Sequence, residues 1–315
     1  MAAARRHFLA NVLERDGRYL AHVLPDLSTD ADYSEHVRIA PVRGAGEGGR
    51  WLDIDSLPDV QPTLPLLFLF HVSRCGSTLV NRMIEDMPGV VSFSEPTFVA
   101  DIMKLRGIDM RRRMQLLRRC LLAAVMARGG GDRLCVVRFT AWGSYDMAGL
   151  MAAFPAARPV FLYRDPLEVL VSQRDGPSRR VRDQVLEPRH EWPGIDHAAL
   201  SRPEYIARML GCLFGLARDA GRPMLLVSYS ELPGAVFERL LPYLGLEIDD
   251  DVRAAMLART KTYSKSRQPV AFSPDGWDKR ARATAEERHL VKLHVAEAFG
   301  AVEEMLRRAI NGAHG

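Results

Sequence analysis

From Leu66 onward, short apolar runs alternate with longer stretches of helical periodicity. The runs fall at 66–72, 134–137, 159–163 and 224–227, each too short to pack alone as a helix. Near-continuous apolar runs of this length are expected of strands buried on both faces of a parallel sheet. Helical spacing is read over Ser77 to Met87, Met110 to Arg128, Tyr145 to Phe154, Leu167 to Arg174 and Pro203 to Ala220. It returns over Val236 to Leu244, Asp250 to Arg259 and one long stretch from about Thr284 to Ile310. In the second of these, Met114, Leu117, Leu121 and Ala124 recur at the spacing of one buried face. The alternation predicts a three-layer α/β fold, a central parallel sheet flanked by helices. Residues 1–60 show short mixed segments and a Gly-rich turn, RGAGEGG. They read as an N-terminal appendage, with a small β-structure expected, ahead of an α/β domain over 61–315.

Composition narrows the function classes. The 315 residues carry 43 basic and 39 acidic side chains, a net charge of +4. That suits an anionic small ligand and argues against wholesale nucleic-acid binding. Only five of the basic residues are lysine, so a lone arginine in this Arg-biased chain says little. The cluster Arg111, Arg112, Arg113, Arg118 and Arg119 is therefore expected to be a solvated helix face. Cys75, Cys120, Cys135 and Cys212 are spread singly, which gives neither a disulfide framework nor zinc spacing, and no metal is expected. The longest apolar run, Leu64 to Val72, is less than half the ~20 residues that span a bilayer. The expectation is a cytoplasmic protein without a membrane span.

In an open parallel sheet, ligands sit at the carboxyl ends of the strands. The first such turn reads Ser73-Arg74-Cys75-Gly76-Ser77-Thr78, between the strand LLFLFHV and an amphipathic helix. A loop there aims unpaired backbone N–H groups and the positive end of the helix at one point, where phosphate or sulfate oxygens bind readily. Gly76 permits close approach, Ser77 and Thr78 add hydroxyls, and Arg74 adds a forked positive charge. A plain Ser/Thr-capped helix start explains the same residues. Against the pattern GxxxxGK[ST], the lysine position is Ser77, which counts against an ATPase or kinase. The second turn follows Val160 to Tyr163 and reads Arg164-Asp165-Pro166, with Ser172 eight residues after Arg164. Asp165 reads as a helix cap and Pro166 as the first helical residue. Arg164 and Ser172 are candidates to converge on a second phosphate.

SRCGSTL followed by YRDPLEVLVS resembles the P-loop-like sulfotransferase family, which uses 3′-phosphoadenosine 5′-phosphosulfate (PAPS). The resemblance covers roughly Leu66 to Gln173 and weakens beyond it. It implies that Ser73, Arg74, Cys75, Gly76, Ser77 and Thr78 cradle the 5′-phosphosulfate, and that Arg164 and Ser172 hold the 3′-phosphate. It further implies that Glu95, in SFSEPTF, is the catalytic base, with Arg74 stabilising the leaving oxygen. A helix-capping or solvent-facing Glu95 is the plainer alternative. His71 lies inside an apolar strand and reads as a core histidine, while His190 and His197 lie in a Pro/Gly-containing stretch. The C-terminal TKTYSKSRQPVAFSPDGWDKR does not reproduce the family's basic segment; Lys265, Arg267 and Lys279 are its candidates for contact with the 3′-phosphate. The acceptor, whether carbohydrate, lipid-like alcohol, phenol or peptide, is not legible, and neither is the oligomeric state. A P-loop kinase or NTPase, and a non-catalytic nucleotide-binding protein, remain the alternatives.

Overall fold

The computed structural model describes residues 7–25, 50–57, 59, 64–127, 133–184, 194–261 and 276–312. Strand β1 (His7–Arg15) returns antiparallel as β2 (Arg18–Pro25), and β3 (Arg50–Asp53) adds to β2. The chain then runs β4 (Leu66–His71), α1 (Ser77–Glu85), β5 (Val90–Ser94), α2 (Thr97–Lys104), α3 (Met110–Ala127) and β6 (Leu134–Arg138). After α4 (Met147–Ala153) come β7 (Arg158–Tyr163), α5 (Pro166–Asp175), the single turn α6 (Arg179–Arg182), α7 (Arg202–Arg218) and β8 (Leu225–Ser228). The remainder is helical: α8 (Leu241–Leu244), α9 (Asp250–Ala258), α10 (Gly276–Ala281), α11 (Ala285–His294) and α12 (Ala296–Gly312). Strands β4 to β8 form a five-stranded parallel sheet in the order β5-β6-β4-β7-β8. This is the α/β arrangement that the apolar runs predict.

The chain divides into two compact units. The first comprises Met1–Leu69, Asn81–Thr140 and Gly149–Arg158. Its β1–β2 hairpin turns at Asp16 (φ +53°) and Gly17 (φ +73°). Two consecutive left-handed residues match the right-handed twist of the strands they join, and Asp-Gly is among the pairs that reach that shape most easily. The hairpin is seated on α2: Asp101 accepts from Val12 N (3.1 Å) and Asn11 Nδ2 (3.3 Å), and Thr97 donates to the Ala10 carbonyl. Burial pushes the Asp101 carboxyl above its ordinary range, against the downward pull of those two donors. Phe68 in β4 packs edge-on against Phe139 and Phe154, each at 5.2 Å.

Helix α3 buries Met114, Leu117, Leu121 and Ala124, the face its spacing predicts. Arg111 is exposed, as the expectation of a solvated face has it, but Arg112, Arg113, Arg118 and Arg119 are engaged by protein groups, which corrects that expectation for the four. Arg113 is buried and donates to the carbonyls of Ile102, Met103 and Leu105, satisfying the end of α2. Arg118 forks onto Asp59 (2.9 and 3.1 Å), and Arg112 and Arg119 both pair with Asp55.

The second unit comprises Phe70–Val80, Ala141–Ala148 and Pro159–Gly315. Here the end of β4 joins β7 through Val72 N to the Leu162 carbonyl (3.2 Å), and β7 pairs with β8 from Val160↔Leu225 to Tyr163↔Ser228. Tyr163, Phe214 and Phe299 interlock edge-on at 5.2–6.3 Å to form its aromatic core. The long C-terminal helix expected from sequence is two helices, broken at Val295 (φ −126°), whose side chain is buried. Helix α7 meets that break at Gly211, where a Cβ would collide with the His294 carbonyl oxygen. Only glycine permits backbone to approach this closely.

Candidate functional site

The loop after β4 is folded back by its own residues. Cys75 is fully buried and its Sγ donates to the Val72 carbonyl (2.7 Å), so this side chain faces inward and offers a ligand only its backbone. Arg74 (φ +61°) and Gly76 (φ +84°) are both left-handed. For glycine that conformation is free; for arginine it costs on the order of 1–3 kcal/mol and persists only where the surroundings enforce it. A Cβ on Gly76 would stand 2.8 Å from Leu232 Cδ1 and 3.2 Å from Tyr229 Cδ2. Val80 N donates to the Gly76 carbonyl (3.1 Å), closing the first turn of α1. The N–H groups before it in that turn have no intrahelical acceptor, and Ser77 and Thr78 stand among them.

Three contacts enforce the turn at Arg74. Its own Nη2 donates to the Gly176 carbonyl, just past α5. Arg164 Nη1 donates to the Arg74 carbonyl (3.3 Å). Beside them, Gln173 Nε2 donates to Ser73 Oγ (2.7 Å). Arg74 Nε is buried and has no acceptor among the described residues.

Arg164, the first residue after β7, is only 3% exposed. Its Nε bonds Glu168 Oε2 one turn along α5 (2.8 Å), and its guanidinium lies 4.0 Å from the centre of the Tyr229 ring. The Glu168 carboxylate, 5% exposed, is shared: Oε1 accepts from Arg280 Nε (2.8 Å) of α10. Asp165 caps α5, accepting from Leu167 N (2.9 Å) and Glu168 N (3.3 Å) with Pro166 at the first helical position, as its spacing predicts. It pairs also with Arg280 (3.3 Å). Ser172 lies half-buried in the last turn of α5.

Glu95 belongs to the first unit and follows β5 in a left-handed conformation (φ +52°). Its N–H donates to the Arg138 carbonyl (2.7 Å) and its Oε1 accepts from Arg138 Nη1 (2.8 Å). Arg138 is buried at the end of β6 and also bonds Ser94 Oγ through Nε and Nη2, whereas the Glu95 side chain is 34% exposed. The structure thus presents a carboxylate held by a buried arginine, and it does so without a helix cap. His71 is buried with Nδ1 on the Val72 carbonyl (2.8 Å), which makes that nitrogen the donor and fits a core histidine. His197 is half-buried; its backbone carbonyl accepts from Gln184. His190, Lys265 and Arg267 lie outside the described residues.

Within the second unit the structure therefore brings together Ser73, Arg74, Gly76 and Arg164, and adds Glu168, Gln173, Tyr229 and Arg280, which sequence reasoning did not assign. Of these, Glu168 left a signal, standing four residues after Arg164 across the junction of β7 and α5. Among the described residues there is no group of three or more His, Cys, Asp or Glu side chains arranged to hold a metal ion, and no helix long and apolar enough to cross a membrane.

The chain is thus a parallel α/β protein in which the left-handed loop after β4 leads into a helix N-terminus and is met by a buried arginine from the end of β7. No family model and no curated protein matches it. Among solved structures it is similar to the sulfotransferase STF9 from Mycobacterium avium, at 12% identity and a TM-score of 0.46 over 82% of this chain and 79% of that one. It is similar also to mouse sulfotransferase SULT7A1 complexed with PAP (12%, 0.45, 94% and 98%). A third is the sulfotransferase domain of the Synechococcus PCC 7002 olefin synthase (17%, 0.41, 76% and 97%).

Proposed function

We propose that this protein is a sulfotransferase that moves a sulfonyl group from PAPS to a hydroxyl or amine of an acceptor. The observation that carries the reading is the loop 73–78: left-handed at Arg74 and Gly76, set at a helix N-terminus, and met at its own backbone by the buried Arg164 from the next strand end. Bound there, PAPS supplies a sulfonyl group on a bisphosphate leaving group. The residues fit it in kind. The N–H groups of the first turn of α1, with Ser73, Ser77 and Thr78, donate to the phosphosulfate oxygens. Arg74, whose Nε has no acceptor among the described residues, stabilises charge growing on the phosphate oxygen as the S–O bond breaks. Arg164 and Ser172 take the 3′-phosphate, and Lys265 is retained as a further contact for it.

Glu95 takes the proton that the attacking O–H or N–H releases as it bonds to sulfur. Its assignment is supported by the sequence pattern SEP and by its own surroundings, a left-handed carboxylate oriented by Arg138 with about a third of its surface accessible. Adenosine 3′,5′-bisphosphate is the product. The acceptor is proposed to be a small molecule, carbohydrate or lipid-like alcohol, and the protein is proposed to work in the cytoplasm.

Calorimetric titration with adenosine 3′,5′-bisphosphate, with and without magnesium and beside magnesium-ATP, tests the reading. Tight, magnesium-independent binding of the bisphosphate supports it. No binding, or preference for magnesium-ATP, overturns it.

A further inference from the structure

We infer that Gln173 is a positioning residue that turns the Ser73 hydroxyl toward a bound anion, an inference that rests on the reading of loop 73–78 as the phosphosulfate cradle. Gln173 is wholly buried near the end of α5, 100 positions from the loop it touches. Both ends of its amide are used. Ser178 N lies 2.8 Å from one end, and Ser73 Oγ lies 2.7 Å from the other. A backbone N–H can only donate, so the end facing Ser178 is the carbonyl oxygen and the end facing Ser73 is the NH2.

That fixes the hydroxyl. Ser73 Oγ receives a hydrogen from Gln173, so its own hydrogen points elsewhere. The half-buried serine stands at the start of the loop whose next residue is held by Gly176 and Arg164. The relay runs Ser178 N–H to Gln173 Oε1, Gln173 N–H to Ser73 Oγ, and Ser73 O–H to an anion oxygen. Each bond polarises the next, so a hydroxyl that already accepts is a stronger donor. A glutamine that merely held the turn after α5 would need Ser178 alone.

The test uses the full chain and adenosine 3′,5′-bisphosphate, titrated calorimetrically into wild type, Ser73→Ala, Gln173→Met and the double variant, with thermal midpoints in parallel. Each single variant is expected to weaken binding by about tenfold, the worth of one hydrogen bond to a charged group. The double variant is expected to bind no more weakly than Ser73→Ala, because Gln173 acts through that hydroxyl. Gln173→Glu supplies an acceptor that captures the Ser73 hydrogen. Its affinity relative to wild type is expected to fall further than that of Gln173→Met, and to recover as acid returns the carboxyl to a donor. Wild-type affinity in Gln173→Met, or a full penalty retained in the Ser73→Ala background, overturns the inference while leaving the cradle standing. Wild type that binds no bisphosphate overturns the reading of the loop itself and the inference with it.

Discussion

Replacing Arg164 with methionine separates two jobs that one guanidinium performs. The side chain is buried and lies within a 2.8 Å ion pair with Glu168, itself buried. Removing one partner of a buried pair typically costs about 3–5 kcal/mol, because the surviving charge is left in a poor solvent. Here Glu168 keeps a second partner in Arg280, which is 55% exposed and so compensates only in part; a loss near 3 kcal/mol is expected. The double variant Arg164→Met/Glu168→Met removes the stranded charge. What remains lost is the stacking on Tyr229 and the bond to the Arg74 carbonyl, together about 1–2 kcal/mol. Stability by urea denaturation should therefore fall in the single variant and return in part, by about 1–2 kcal/mol, in the double one. Affinity for adenosine 3′,5′-bisphosphate should not return: both variants lack a charged donor worth about 1.5–3 kcal/mol, roughly a ten- to hundredfold loss. If affinity recovers together with stability, Arg164 acts only by holding the loop and its assignment to the 3′-phosphate is wrong.

Glu95→Gln is expected to leave bisphosphate affinity within about twofold while lowering turnover on a found acceptor by about 10²-fold or more; normal turnover assigns the base elsewhere. Asp101 carries a pH signature. Its folded carboxyl is raised by burial, so it contributes stability at low pH that is lost as pH rises through the folded titration. The melting temperature of wild type minus that of Asp101→Asn should thus decline from about pH 4 towards pH 7, and a flat difference would count against burial as the dominant influence. Gly211→Ala places a methyl against the His294 carbonyl and must part α7 from the break between α11 and α12; a loss of about 1–3 kcal/mol is expected by chemical denaturation, and none would mean the close approach is not maintained.

The strands at 66–72, 134–137, 159–163 and 224–227 were legible because burial on both faces leaves a run of apolar residues that nothing else explains. β5 was not assigned as a strand: Val90–Ser94 ends in Ser92, Phe93 and Ser94, and the buried Ser92 is satisfied by Asn81 Oδ1 (3.0 Å), a partner invisible in the pattern. The hairpin at Asp16-Gly17 left a signal in its Asp-Gly pair. The two phosphate-type loops were readable because a strand end, a glycine and a helix start are consecutive. The contacts that shape them were not, since Gln173 to Ser73 and Arg164 to Arg74 span 100 and 90 positions. Likewise the arginines of α3 found carboxylates and carbonyls from distant segments, which a helical wheel cannot display.

The loop's dependence on those distant partners also orders events in time. Residues 73–78 leave the ribosome early, with only the local bonds from Cys75 to Val72 and from Val80 to Gly76, yet the distant groups that meet Arg74 and Gly76 come later: Arg164, Gln173, Gly176, then Tyr229 and Leu232. Closing such loops in sequence precedes any reward from the contacts they make. The full set of contacts around the loop is therefore completed late, and a nascent chain that ends before β7 carries its sequence without those distant contacts. On the proposed reading, a nucleotide would stabilise only chains in which β7, α5 and the turn after β8 are already in place.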